Sequence, residues 1–409
     1  MKTLLLILFV VLWNICSGDV QDFIDPDEFK VLENEAGDRL ESNPDKLTLV
    51  KGETKKITFN FSGNLTETIK IVLNSTDNVH MEPKFFELGP DVYSGSINVT
   101  GLTVTSLTFI DIHDCETPDD SNITCPFNKS ASFVRVKVVH SNTISILVTV
   151  TGWIYFFAWS ISFYPQIWLN YKRSSVEGLN FDFLVLNILG FTCYTIYNWL
   201  MYFDHTVQDI YQDHHHRALI PVLLNDVVFA SHALLACLIT GIQCFIYERG
   251  QQKVSYTCIG WASVLSAFSI VSFVITIFDV VDWLQFINNL SYVKMAVTLS
   301  KYFPQAILNF RRKSTEGWSI GNVILDFTGG SMDICQMVLQ ASNTDDWSGF
   351  YGNPVKFGLG LVSMIFDVVF FVQHYCLYRD LESQTNYNVV ETSESSNQSV
   401  RGTTPRSTT

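Results

Sequence analysis

Polar and apolar residues alternate singly in the first third of this chain and gather into long blocks in the rest. Between residues 46 and 140, "KLTLV", "KKITFNF", "TIKIVL", "GSINVTGLTVTSLTFIDI" and "SFVRVKVVH" keep a period of two and are rich in β-branched residues. Gly, Asn, Asp and Pro punctuate them, which predicts half-buried strands of an antiparallel β-sandwich. From Thr143 onward seven apolar stretches follow, at about 143–169, 182–203, 221–247, 255–278, 283–310, 320–341 and 354–378. Each is close to the roughly 20 residues that span a bilayer. The expected fold is an α-helical membrane protein of seven transmembrane helices with an N-terminal β-sandwich-like domain. The tail after Arg379 is polar and rich in Ser and Thr, too poor in apolar side chains to bury a core, and reads as disordered.

The averages, 47% hydrophobic residues with a formal net charge of -14, would fit an acidic soluble protein; the segregation of the residues excludes that. The N-terminus sets the compartment. Lys2, an apolar run from Leu4 to Trp13, and small residues Cys16 and Gly18 before Asp19 predict a signal peptide over residues 1–18. Residues 19–142 then enter the secretory lumen. Six sequons begin at Asn60, Asn64, Asn74, Asn98, Asn122 and Asn128, expected on a surface open to glycosylation. Cys115 and Cys125 are the only cysteines of this segment, as expected for one short-loop disulfide in an oxidising compartment. Between the apolar blocks, Lys172, Arg173, Arg249, Lys253 and Arg311 to Lys313 fall in odd-numbered loops. Asp204, Asp209, Asp213, Asp279, Asp282, Asp345 and Asp346 fall in even-numbered ones. Basic loops stay in the cytosol, so the N-terminus is expected in the lumen and the C-terminus in the cytosol.

The blocks also repeat. "FYPQIWLNYKRSSVEGLNFDFLVLNILGF" returns 139 residues later as "YFPQAILNFRRKSTEGWSIGNVILDFTGG", and "DVVF" from Asp226 recurs from Asp367. Two parallel three-helix repeats, 143–247 and 283–378, joined by a linker helix at 255–278, are therefore expected, with 379–409 as tail; parallel repeats are one transporter plan. Pro165-Gln166 matches Pro304-Gln305. A proline within a span removes a backbone donor and kinks the helix, so the matched pairs are expected to be hinges, with the glutamine amides near the freed carbonyls. Asp226, Asp326, Asp367 and Lys294 stand in apolar surroundings, where an ionised group is costly unless paired, neutralised or hydrated. Asp326 aligns with Asn187, so one repeat has a carboxyl where the other has an amide. Because removal from water disfavours an ionised carboxyl, Asp326 is expected to load a proton from an acidic lumen and release it to the cytosol.

The paired "YPQ" and "FPQ" segments resemble the PQ-loop transporters. "KSTEGWSIGNVILDFTGG", "NDVVF", "YVKMAVTL", "KFGLG" and "FDVVFFVQH" resemble the branch that exports cystine from lysosomes. The resemblance covers about Thr151 to Arg379. It implies proton-coupled, alternating-access export of L-cystine across the lysosomal membrane, with Asp326 as chief proton-coupling carboxyl and Asp226 and Asp367 supporting it. It further implies that Asn187, Asn322 and Lys356 contact substrate and that Lys294 is functionally important. Asp333 is an extra acid of open role. In the tail, Tyr387 and Val390 form a tyrosine-aliphatic pattern expected to engage clathrin adaptors, placed later than the Gly-Tyr-Asp-Gln-Leu signal usual in the family.

No catalytic constellation is present, so an enzyme is not expected; nor is a cofactor, a metal or nucleic acid. The His214-His215-His216 cluster lacks a further ligand set and reads as a solvated loop that gains charge in acid. The rival readings are a PQ-loop carrier of another small amino acid and a seven-helix receptor, which needs neither a repeat nor intramembrane acids.

Overall fold

The computed structural model describes residues 39–117, 124–129, 132–214, 220–347 and 354–378. Residues 1–18, Asn122, His215, His216, Tyr387 and Val390 lie outside them, as does the side chain of Lys356. The described residues fall into two compact bodies, residues 39–153 with 333–347, and residues 154–332 with 355–378.

Nine strands make two sheets in the first body. β1 (Arg39–Asn43), β3 (Thr54–Ser62), β7 (Ser94–Gly101) and β5 (Val79–Glu82) pair in the order β1-β3-β7-β5. β2 (Lys46–Val50), β9 (Phe133–Val139), β8 (Thr105–Glu116), β4 (Ile69–Ser75) and β6 (Phe85–Leu88) pair in the order β2-β9-β8-β4-β6. Alternation places Leu47, Leu49, Ile57, Phe59, Ile71, Ile97, Val99, Val134 and Val136 in one buried core drawn from both sheets, the outcome expected when every second side chain is apolar. Against the expected antiparallel pairing, β2 runs parallel to β9, because it closes the sheet edge beside a strand distant in the chain rather than a hairpin partner. Cys115 and Cys125 are joined as a disulfide. Lys129 spans the same loop, 2.8 Å from Asp114. Asn60, Asn64, Asn74, Asn98 and Asn128 are all exposed.

Helix α1 (Asn142–Arg173) follows β9 almost directly. Then come α2 (Phe181–Phe203), a short α3 (His205–His214), α4 (Leu224–Ile246), α5 (Tyr256–Ile277), α6 (Trp283–Arg312), α7 (Ile320–Thr344) and α8 (Pro354–Phe371), which ends in a π-helical turn over Val372–Leu377. Among the described residues five are long and apolar enough to cross a membrane: α1, α2, α4, α5 and the stretch Gly360–Leu377. The other two long helices, α6 and α7, have the length but carry Lys294, Lys301, Asp326 and Asp333. Helix α3 lies where only a loop was expected. The side chain of Asp204, just before it, accepts the Val207 N–H, and Gln208 Nε2 donates to the Met201 and Tyr202 carbonyls, tying the helix to the open end of α2.

Candidate functional site

The repeated Pro-Gln pairs sit inside α1 and α6, and each glutamine is fully buried. Neither turns to its own helix's freed carbonyl as foreseen; each reaches into the other repeat. Gln166 Nε2 donates to Gly317 O (2.9 Å) and its Oε1 accepts the Ser319 N–H (2.8 Å). Gln305 Nε2 donates to Gly178 O (3.0 Å) and its Oε1 accepts the Asn180 N–H (2.7 Å). Ser319 and Asn180 directly precede α7 and α2, so each glutamine fixes the start of a helix in the opposite half. The chains continue inward in matched steps. Gln166 donates to Asn170, which donates to Gln243, which donates to Ile167 O; Gln305 donates to Asn309, which donates to Gln373, which donates to Ala306 O. Buried amides are tolerated when so completely paired.

Between the clamps the two Glu-Gly turns meet back to back. Gly178 and Gly317 have φ of 101° and 91°, and a Cβ on either would lie 2.0 Å from the other turn's glutamate carbonyl oxygen. Only glycine gives both that dihedral and that approach. Arg173 Nη2 bridges to Glu316 at 3.1 Å, so the basic ends of the helices close over the turns.

Away from the clamps lies a cluster of polar side chains among apolar ones. Tyr302 OH and Ser363 Oγ each donate to Asp326 Oδ2 at 3.0 Å and lie 3.0 Å from one another. Trp159 Nε1 donates to Asp326 O, its ring filling the space that a side chain at Gly329 would take. Lys301, buried, donates to Asn187 Oδ1 at 3.0 Å, and Asn187 Nδ2 donates to Cys237 Sγ at 3.2 Å. Lys294 sits with its ammonium 3.6 Å from the centroid of the Phe191 ring and 5.6 Å from that of Tyr194, a cation–π position; it makes no ion pair among the described residues. Asp367 is buried and its Oδ2 has no hydrogen-bond partner among the described residues. An ionised oxygen so placed is costly, so the position suits a protonated carboxyl or one that meets an arriving cation.

The structure thus brings together Asn187, Lys294 and Asp326, with Asp367 on α8 behind them, and places Asn322 one turn before Asp326 on α7. It sets Asp226 apart. That residue lies in the first turn of α4, where its carboxylate accepts the Leu223 N–H at 2.9 Å. It is eleven residues, about 16 Å of helix, from Cys237 at the level of Asn187. The match of "DVVF" between the repeats is not a structural one. The paired bonds of Gln243 and Gln373 align the third helices 130 residues apart, so the counterpart of Asp367 is Cys237 and that of Ser363 is Ala233. Lys301, seven residues after Lys294 and so on nearly the same helix face, was missed although the spacing signals it. The Tyr302 and Ser363 hydroxyls were missed as well; Tyr302 stands where the first repeat has Phe163.

Comparison with known proteins agrees with this repeat. A family model described as "PQ loop repeat" matches residues 147–207 and 286–346. The chain is 53% identical over 296 residues to a cystinosin homolog of Caenorhabditis elegans, covering 72% of this chain and 73% of that protein. It is 40% identical to the cystinosin of Drosophila melanogaster, covering 92% and 94%. It is 32% identical to a cystine transporter of Saccharomyces cerevisiae, covering 56% and 93%.

Proposed function

The chain belongs to the cystinosin family of PQ-loop membrane proteins, and from that membership we propose that it exports L-cystine from the lysosomal lumen to the cytosol by proton-coupled alternating access. One observation carries the reading: within largely apolar helices the Asp326 carboxyl accepts from the Tyr302 and Ser363 hydroxyls, and Lys301 donates to Asn187, the counterpart of Asp326 in the other repeat. Cystine carries two carboxylates and two ammonium groups near neutrality. Its site needs cations, a role assigned to Lys294 and Lys301 and, on the family resemblance alone, to Lys356; amides, assigned to Asn187 and Asn322; and carboxyls for the ammonium groups.

In the proposed cycle seven helices span the membrane, α3 lying in the acidic second loop. The β-sandwich domain, glycosylated at its sequons, faces the lumen, and the tail with Tyr387 and Val390 meets clathrin adaptors in the cytosol. Asp226, at the lumenal start of α4, supports proton entry. Asp326 and Asp367 take protons on the acidic side, which removes the cost of charge inside the membrane, and return them to the neutral cytosol. The two glutamine clamps close the basic, cytosolic end, and the helices pivot at Pro165 and Pro304 to part them. Because the clamps are matched, opening breaks both sets together.

The test is cystine uptake by cells or vesicles that expose the lumenal face to the medium. Acidifying that face is expected to speed uptake, and Asp326→Asn to remove the acceleration while glycosylation and folding persist. Uptake indifferent to pH ends the coupling proposal. A competition panel of cystine, lysine and glucose in the same assay decides the substrate; uptake blocked by lysine rather than cystine favours a cationic amino-acid carrier.

A further inference from the structure

The two halves of this molecule control for one another. The first two helices of the repeats align 139 residues apart and the third helices 130 apart, which pairs Asp326 with Asn187, Tyr302 with Phe163, Ser363 with Ala233 and Asp367 with Cys237. The half that has the carboxyl has both hydroxyls; the half that has the amide has neither. Phe163 and Ala233 still pack in one apolar cluster in the first half, so the architecture does not itself require oxygen at these two places.

The geometry says what the hydroxyls do. Both converge on one carboxylate oxygen, Oδ2, at 3.0 Å, and among the described residues Oδ1 accepts no hydrogen bond. Packing fixes the phenol: the Tyr302 ring stacks on Phe366 at 5.4 Å and also meets Phe183 and Phe370. We propose that Tyr302 and Ser363 are positioning residues for Asp326, holding Oδ2 so that the transported proton is taken up and released at Oδ1. The inference rests on the proton-coupled reading above and adds to it a choice of atom and a means of setting its affinity.

A hydroxyl that donates to a carboxylate favours the ionised form. Removing one withdraws a donor from the carboxylate, and the pH dependence of transport reads that loss. The other groups facing Asp326 are Lys294 and Lys301 on α6, Asp367 on α8, and the indole of Trp159 on α1; Tyr302→Phe and Ser363→Ala alter none of them.

The experiment is the pH profile of cystine uptake by the full-length protein with its lumenal face exposed. Tyr302→Phe and Ser363→Ala are each expected to move the midpoint about one pH unit towards neutral, the scale of one hydrogen bond to a charged group. KM at the most acidic pH should stay within about twofold of the parent, as expected for groups that act through Asp326 rather than on substrate, and Ser363→Thr, which keeps the hydroxyl, should restore the parent midpoint. A midpoint that stays put in active variants overturns the proposal, and so does a raised KM with an unmoved profile, which would make the hydroxyls substrate ligands. A second measurement does not need transport. In purified protein the infrared carbonyl band of protonated Asp326, identified by its loss in Asp326→Asn, is expected to persist to higher pH in both hydroxyl variants. If the parent carries no cystine but this band shifts, the transport reading fails and the positioning role stands; if the band does not shift, the positioning role fails.

Discussion

At the scale of single residues, the tightest constraint in the helical body is steric. Gly178 and Gly317 hold positive φ with a neighbouring backbone oxygen in the place of a side chain. Alanine at either position has to strain its dihedral, about 1–3 kcal/mol, and also force the turns apart. Gly178→Ala and Gly317→Ala are each expected to lower the thermal unfolding midpoint of the purified protein by several degrees, with the double variant failing to accumulate. An unfolding midpoint equal to the parent's would mean that the turns do not meet in the folded protein. Both glycines were legible in the sequence as half of a repeated Glu-Gly pair, though only the structure gives the reason. Lys301 was the opposite case. Its neighbour "FPQ" drew attention as the repeat motif, and its counterpart Ser162 is neutral, so comparison of the halves gave no sign of a second buried cation.

At the scale of elements, the strong periodicities read correctly and the weak ones did not. β3, β4, β7, β8 and β9 have several alternating apolar positions; β1 offers only Leu40, and β5 and β6 are four residues long, too short for a period to register. The third helices misled because sequence identity at "DVVF" competes with a connection of different length, and only hydrogen bonds resolve the register. Matched clamps carry a prediction. Gln166→Ala and Gln305→Ala each remove three hydrogen bonds to buried groups, at roughly 1–3 kcal/mol for each partner left unpaired. Each is expected to raise the labelling of a cysteine introduced near Asn309 or Asn170 by a cytosolic thiol reagent, and to similar degree; an effect confined to one variant would show that the halves do not open together.

Acid resistance of the strand-rich body belongs to the same scale. The hydrogen bond from Lys129 holds the Asp114 carboxyl below its usual range, against the opposing effect of burial. A carboxyl lowered on folding contributes stability that is present above its unfolded pKa and is lost as pH falls through the folded one. The contact across the disulfide loop therefore outlasts ordinary carboxylates as the medium acidifies. Asp114→Asn is expected to move the acid-unfolding midpoint of the protein's near-ultraviolet signal to higher pH; a midpoint unchanged from the parent would leave the pair without a stabilising role.

At the scale of the whole molecule, sidedness follows from one helix. The β9 strand ends at Val139 and α1 begins at Asn142, so the sequons precede α1 in the chain and the clamp residues end it. The clamps with Arg173 belong to its other end, 32 residues on, about 48 Å along the axis and more than the hydrocarbon thickness of a bilayer, about 30 Å. In the topology proposed above, with seven crossings, glycans and clamps are expected on opposite faces of the membrane and the tail on the side of the clamps. In sealed organelles that hold the protein, a glycosidase should leave the glycans intact until detergent is added, while protease should remove an epitope after Thr409 without it. Asn60→Gln, Asn64→Gln, Asn74→Gln, Asn98→Gln and Asn128→Gln should each remove one glycan's worth of mass. Glycans trimmed in intact organelles would invert the molecule and, with it, the direction in which Asp326 could carry a proton.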